Sequence, residues 1–313
     1  MGRENSSARY RCRTPVAFLI FNRPETTERV FEQIAAVKPP RLLVVADGPR
    51  ESIPGENERC EEARSIVKRV DWDCEVLTEF STVNLGCKRR VSSGLSWVFS
   101  LVKEAIVLED DCLPHPSFFR FCDELLGLYR DEERVAQIGG VNFQPLRRRT
   151  PASFYFSRYA HIWGWAAWRR SWMHYDVGIS RWPAIKGSGW LESILGNRKQ
   201  VPYWERMLDA VYDGRIDTWD YQWMFCCWLN HALTALPAAN LVSNIGFGFG
   251  AAHTRATNRF SNLPLGELRF PLRIPESLDR DAEADAYTDR IMFNPPLGER
   301  LKARITGGLR RKP

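Results

Sequence analysis

The sequence has no apolar stretch near the ~20 residues that a membrane-spanning helix requires. Its polar, Arg-rich start from Met1 to Arg13 is not followed by an apolar core at signal-peptide spacing. Its eight cysteines include no Cys-x-x-Cys pair, which removes the usual zinc and dithiol motifs and leaves thiols expected to be reduced. No glycine-rich phosphate loop lies near the N-terminus, where Phe21 to Glu25 would have to supply it. A large charge excess is also missing. The 44 basic and 38 acidic residues leave +6, which does not call for nucleic acid and suits a small anionic partner equally well. A cytoplasmic location follows as the expectation.

What remains is globular in character. The 313 residues, 44% hydrophobic and 26% charged, allow one large or two modest domains with a substantial core. The most informative stretch is Ala105-Ile106-Val107-Leu108-Glu109-Asp110-Asp111. Four apolar residues ending in three acids read as a buried strand whose C-terminal end carries the carboxylates, and open α/β sheets bind ligands at such ends. Three adjacent acids repel one another. A divalent cation or hydrogen-bonded hydroxyls would offset them, and oxygen donors of this kind suit Mg²⁺ or Mn²⁺; a solvated acidic turn is the plainer alternative.

Around this stretch, strands and helices alternate. Pro15 to Phe21 predicts a strand that breaks at Asn22-Arg23-Pro24, with Thr26 or Thr27 placed to cap a helix bearing Val30, Phe31, Ile34 and Val37. Leu42 to Ala46 predicts a second strand ending in Asp47-Gly48-Pro49-Arg50, and a helix follows from Asn57. Cys74 to Leu77 predicts a third strand, and a basic helix start (Lys88, Arg89, Arg90) leads to the acid-bearing strand. Beyond Pro114 and Pro116 come a helix over Phe118 to Tyr129 and a strand over Val135 to Gly139. This alternation predicts an α/β fold with a mostly parallel central sheet flanked by helices.

Past Asn142 the composition changes. Ten of the 12 tryptophans fall between Trp163 and Trp228. Each alone reads as core, but their density among Arg, Asp, Tyr and His suggests a cleft wall where indole faces meet sugars. Gly246-Phe247-Gly248-Phe249-Gly250 reads as a mobile loop, and the prolines and acids beyond Asn258 as an irregular wrapping segment.

The ordered runs AFLIFNRP, VVADGPR, CKRRVSSGLSWVF, AIVLEDDCLPHPSFF and WDYQW resemble the GT-A glycosyltransferases of the N-acetylglucosaminyltransferase I type and their bacterial relatives, in the nucleotide-diphospho-sugar transferase superfamily. The resemblance spans Pro15 to Thr257. It implies a metal-dependent, inverting transferase that moves a sugar from a UDP-sugar, UDP-GlcNAc among the donors, to a glycan, lipid-linked glycan or other hydroxyl acceptor, with Mn²⁺ or Mg²⁺ as cofactor. It implies an N-terminal tail (1–14), a catalytic domain (15–260, with a nucleotide-sugar half over 15–141 and an acceptor half over 142–260) and a C-terminal extension (261–313).

Residue by residue, the resemblance implies that Asp47 accepts the uracil N–H, that Arg23 approaches the diphosphate, and that Arg90 contacts base or ribose. Glu109 and Asp110 would hold the ribose and metal-bound water, Asp111 would be the direct metal ligand, and His253 would be a further ligand. Asp220 in WDYQW matches the catalytic base, with Asp217 next in line, and the glycine loop would close over the diphosphate. The chain departs from the animal enzymes in lacking the cysteine beside Arg23 and one near Asp47, and it has Tyr221 where the family carries a second acid. A nucleotidyltransferase and a non-catalytic carbohydrate-binding protein remain the alternatives. The basic end, Arg300 to Lys312, reads as a frayed tail able to attract anionic lipid, which would bring the protein to the inner face of the cell membrane.

Overall fold

The computed structural model describes residues 10–144, 150–247 and 260–294. The apolar runs become β1 (Val16–Ile20), β2 (Arg41–Ala46) and β4 (Glu104–Glu109), which lie side by side with β3 (Glu75–Phe80) outermost. Between them run α1 (Pro24–Val37), α2 (Glu56–Ile66) and α3 (Gly86–Leu101). β1, β2 and β4 are almost wholly buried because helices cover both faces of a parallel sheet, whereas the edge strand β3 is half exposed.

After β4 the chain forms the short β5 (Cys112–Pro114), then α4 (Pro116–Leu128), β6 (Val135–Gly139), β7 (Phe154–Ser157) and β8 (Trp165–Trp168). Three short helices follow, α5 (Arg169–Trp172), α6 (Trp182–Ile185) and α7 (Trp190–Leu195), then α8 (Val201–Tyr212) and α9 (Asp220–Leu229). β9 (Leu233–Pro237), β10 (Val242–Asn244) and α10 (Ala282–Thr288) complete the order, with a π-helical turn over Asp289–Phe293.

Eight strands form one sheet in the order β3-β2-β1-β4-β8-β6-β9-β7. Strands β8 and β7 run against the others, so the sheet is mixed and mostly parallel, in the α/β class expected from the pattern. It continues across the boundary at residue 142, since β6 pairs with both β8 and β9. A separate two-stranded ribbon joins β5 to β10 just beyond the acid triplet.

Alternation along each strand splits the core in two. Phe18, Val44, Ile106 and Leu108 meet α1 and α4 on one face, while Ala17, Val45, Ala105 and Val107 meet α3 and the α5–α9 layer on the other. Helix α3 packs closely on β2 because Gly94 has no Cβ; one added there would lie 2.4 Å from Val45 Cγ1.

Three expectations change. Helix α1 starts earlier than the threonines, at Pro24, so Thr26 and Thr27 donate back to the Arg23 carbonyl inside the first turn instead of capping it. Residues 10–14 are pinned, not a tail: the Cys12 N–H donates to the Val37 carbonyl at 2.8 Å, and Asp123 accepts from the Arg13 and Thr14 N–H groups. The tryptophans are mainly core. Trp165, Trp182, Trp204, Trp219, Trp223 and Trp228 are each at most 2% exposed. The second face of the sheet needs a thick cover, to which β8 contributes Trp165 and the small Ala167, and large rings from α8 and α9 fill the layer.

All eight cysteines are free thiols. Among the described residues no helix is long and apolar enough to cross a membrane.

Candidate active site

Beyond the C-terminal end of β4 lies a cavity of about 390 Å³, lined by Arg23, Glu109 and Asp111 on one side of the sequence and by Asp217, Asp220 and Trp163 on the other. The first group follows from the strand ends: β1 and β4 are paired in register, which brings the residues after Ile20 next to those after Leu108. Arg23 Nη1 donates to Asp111 Oδ2 at 2.9 Å, and Nη2 donates to Asp110 Oδ1. Burial alone would lower the Arg23 guanidinium; Asp110 and Asp111 outweigh it and raise its pKa.

One guanidinium does not neutralise three acids. Burial, then Asp111 and Asp110, push the Glu109 carboxyl up to about 8. Burial raises the Asp110 carboxyl to about 6 against the opposing pull of Arg23. Asp110 is turned away from the cavity. Its oxygens accept from the Phe21 N–H at 3.0 Å and from Arg23, so it fastens β1 to β4 instead of standing free for a ribose or water.

The ribbon of β5 and β10 brings the start of the glycine loop to the same place. The Ile245 N–H donates to the Asp111 carbonyl at 2.8 Å, and Asn244 Oδ1 accepts from the Gly246 N–H at 2.9 Å. Gly246 sits so close that a Cβ would fall 2.2 Å from Asp111 Oδ2 and 2.6 Å from Arg23 Nη1. Phe247 packs edge to face on Trp163 and also lines the cavity; the loop from residue 248 on and His253 lie outside the described residues.

The second group depends on α9 and the turn before β8. Gln137 on β6 donates to the His161 carbonyl at 2.7 Å and accepts from Trp223 Nε1 at 2.5 Å, which ties that turn to α9. Gly164 completes the turn at φ +62°, and a Cβ there would lie 2.7 Å from Val242. Asp220 opens α9. Its Oδ1 accepts from Thr218 Oγ1 and from the Tyr221 N–H at 2.9 Å, and among the described residues Oδ2 accepts no hydrogen bond.

Two expected donor contacts are placed elsewhere. Asp47 does not line the cavity: its oxygens accept from the N–H groups of Gly48, Leu85 and Gly86 at 2.9–3.0 Å and from Asn84 Nδ2 at 3.2 Å. A carboxylate has about four acceptor positions, so the loop before α3 uses Asp47 fully and leaves no lone pair for a uracil N–H. Arg90 is 5% exposed, donates to the Glu79 carbonyl at 2.9 Å and pairs with the Glu79 carboxylate on β3. It too is outside the cavity.

The cavity also holds residues not anticipated. Cys87 lines it at the first turn of α3, and burial, then Glu109, Asp220 and Asp217, raise its thiol pKa. Thr218 orients Asp220; the Thr-x-Asp spacing at a helix start was the available signal. Nothing local marked Asn244, whose place comes from pairing with β5.

Among the described residues no three His, Cys, Asp or Glu side chains form a metal-holding group. Two carboxyl groups, Glu109 and Asp111, do face one cavity. That is the number a Mg²⁺-like ion takes from protein when phosphates and water complete its shell, and the crowding of Asp111 and Asp110, which adds to burial in raising Glu109, fits a cation there.

No protein-family model and no curated protein matches the sequence. Solved structures with partial likeness include UDP-glucose pyrophosphorylase complexed with UDP-glucose, 11% identical over 51% of this chain and 78% of that one, with a TM-score of 0.29. Mouse xyloside xylosyltransferase 1 in its apo form is 12% identical over 68% of this chain and 81% of that one, with a TM-score of 0.32. At such scores the likeness carries no functional argument, and the chemistry rests on this chain's own side chains.

Proposed function

We propose that the protein is a glycosyltransferase that moves a sugar from a UDP-sugar to a hydroxyl acceptor by inverting single displacement, with Mn²⁺ or Mg²⁺ as cofactor. The observation that carries this is the meeting of Asp111 and Asp220, far apart in sequence, on one cavity large enough for a small ligand. Among the described lining residues the carboxyls of Glu109, Asp111, Asp217 and Asp220 outnumber the guanidinium of Arg23, which favours entry of an anionic diphosphate together with a cation. When bound, the metal would offset charge developing on the leaving diphosphate, with Asp111 and Glu109 as its protein ligands.

Asp220 then acts as general base. It takes the proton of the acceptor hydroxyl as the acceptor oxygen bonds to the anomeric carbon, and the carbon–oxygen bond to the diphosphate breaks with its electron pair leaving on UDP. Thr218 and the Tyr221 N–H hold Oδ1, which leaves Oδ2 for the proton. Arg23 balances Asp110 and Asp111 before the donor arrives and is within their reach to turn to a phosphate oxygen. Asp47 shapes the loop that leads into α3, whose Cys87 lines the cavity, and Arg90 ties α3 to β3.

UDP release from a panel of UDP-sugars, with and without Mn²⁺, tests the proposal. Release that needs Mn²⁺ and Asp220 supports it; a product that keeps the donor's anomeric configuration overturns it. Membrane contact through residues 300–312, outside the described residues, is tested by sedimentation with anionic vesicles before and after truncation.

A further inference from the structure

A second cavity of about 300 Å³ adjoins the first, sharing Ile162, Trp163, Asp220 and Tyr221 with it. Its character differs. One group of rings, Phe143 with Trp163 and Phe260, packs edge to face with centroids 5.2 and 5.1 Å from Phe143. Another, Tyr203 with Trp204 and Phe293, packs at 5.4–5.8 Å from Tyr203. All six rings line the cavity. Among the described residues Asp220 is its one carboxylate, and His161, its pKa held down to about 3 by burial, adds no positive charge near neutral pH. Trp204 is fully buried, and its Nε1–H has no partner among the described residues.

From these observations we infer that the second cavity is a subsite for an aromatic ring carried by the acceptor, whose hydroxyl stands at Asp220 in the first cavity. The inference rests on Asp220 being the base proposed above. A ring fits because ring edges and faces supply its partners, adding to the area it buries. A sugar ring fits poorly. Among the described lining residues its several hydroxyls would find the Asp220 carboxylate, already engaged with the reacting hydroxyl, the Tyr203–Tyr221 hydroxyl pair, 3.1 Å apart, one indole N–H and a neutral imidazole, and each unmet hydroxyl costs binding. The wall is built partly from Met292 and Phe293, beyond the span of the sequence resemblance, so the C-terminal segment takes part in choosing the acceptor.

Calorimetric titration of the full chain with phenyl β-glucoside, methyl β-glucoside and octyl β-glucoside, without donor, tests the subsite directly. Phenyl should bind about tenfold more tightly than methyl. That preference should vanish in Phe293→Ala and in Tyr203→Ala, each of which should keep wild-type UDP affinity in Mn²⁺. Equal binding of phenyl and methyl glucosides overturns the inference, as does a phenyl preference that survives in both variants. Tighter binding of octyl than phenyl overturns it in favour of a lipid chain. UDP that fails to bind while the phenyl preference holds refutes the transferase reading and leaves the aromatic subsite standing.

Discussion

Arg23 Nη1 lies 2.9 Å from Asp111 Oδ2, joining residues 88 positions apart, and the same guanidinium holds Asp110. The acid triplet therefore has an internal counter-ion before any metal or substrate is present. The pair is only partly shielded, with 21% of the Arg23 side chain and 13% of the Asp111 side chain exposed, so either partner can be exchanged for a ligand.

Removing that counter-ion should expose the cost of the acids. Arg23→Ala leaves Asp110, 2% exposed, and Asp111 unpaired, for a loss of about 3 kcal/mol in urea unfolding at neutral pH. Burial raises the folded pKa of the Asp110 carboxyl above its unfolded value, so the folded state binds more protons there. The deficit against wild type should shrink as pH falls and that carboxyl protonates. A deficit that stays constant down to acid pH would show that charge is not its origin.

Asp111→Ala should abolish Mn²⁺-dependent UDP binding while the circular dichroism spectrum and cooperative unfolding persist, because the residue stands past the end of β4 and not within it. Unchanged UDP affinity in this variant, with Mn²⁺ present, would remove Asp111 from the site.

Gly246→Ala should disturb the same carboxylate from the other side, since its Cβ would fall 2.2 Å from Asp111 Oδ2. Misplacing a site group by about 1 Å can cost ~10²-fold, so kcat should fall toward that extent with little change in Tm. A large loss of Tm with normal kcat would mean that the contact is only structural.

Asp220→Asn should lower kcat by ~10²–10⁴-fold with donor affinity nearly unchanged, while Asp217→Asn does far less. Steady-state kinetics on both variants decide it. A dead Asp217→Asn beside an active Asp220→Asn would move the base by three residues.

His161 gives a pH signature. Burial holds its folded pKa at about 3 against an ordinary 6.5, so the unfolded chain takes up the extra proton between those values. Stability from this residue is intact above the upper value and lost as pH falls toward the lower, at about 1.4 kcal/mol per pH unit. His161→Phe should flatten the stability profile by that slope. Parallel profiles for the two proteins would show that His161 is not held neutral by the fold.

Much of the N-terminal half was legible in the chain. Val16–Ile20, Arg41–Ala46 and Glu104–Glu109 are short runs rich in apolar residues because both faces of a parallel strand are covered, and that requirement is local enough to read. The acids after Leu108 were equally plain. The sequence by itself thus determined an α/β fold with carboxylates at a strand end; that Asp220 opens a helix was supplied by the structure.

The tertiary structure alone decided what those groups and their neighbours do. Whether an indole walls a cleft or fills a core depends on what packs over it, and the tryptophans on α8 and α9 are buried by a sheet face formed from distant strands. Asp47 and Arg90 carry the charges that a ligand would want, yet nearby backbone groups of the loop before α3 and of β3 claim them first. Arg23 meets Asp111, and Asp220 meets both cavities, only after strands far apart in sequence pair in register. Local pattern reports the hydrogen-bonding and burial needs of a segment's own backbone; which partner satisfies a side chain is set by contacts across the chain, and these exist only in the folded state.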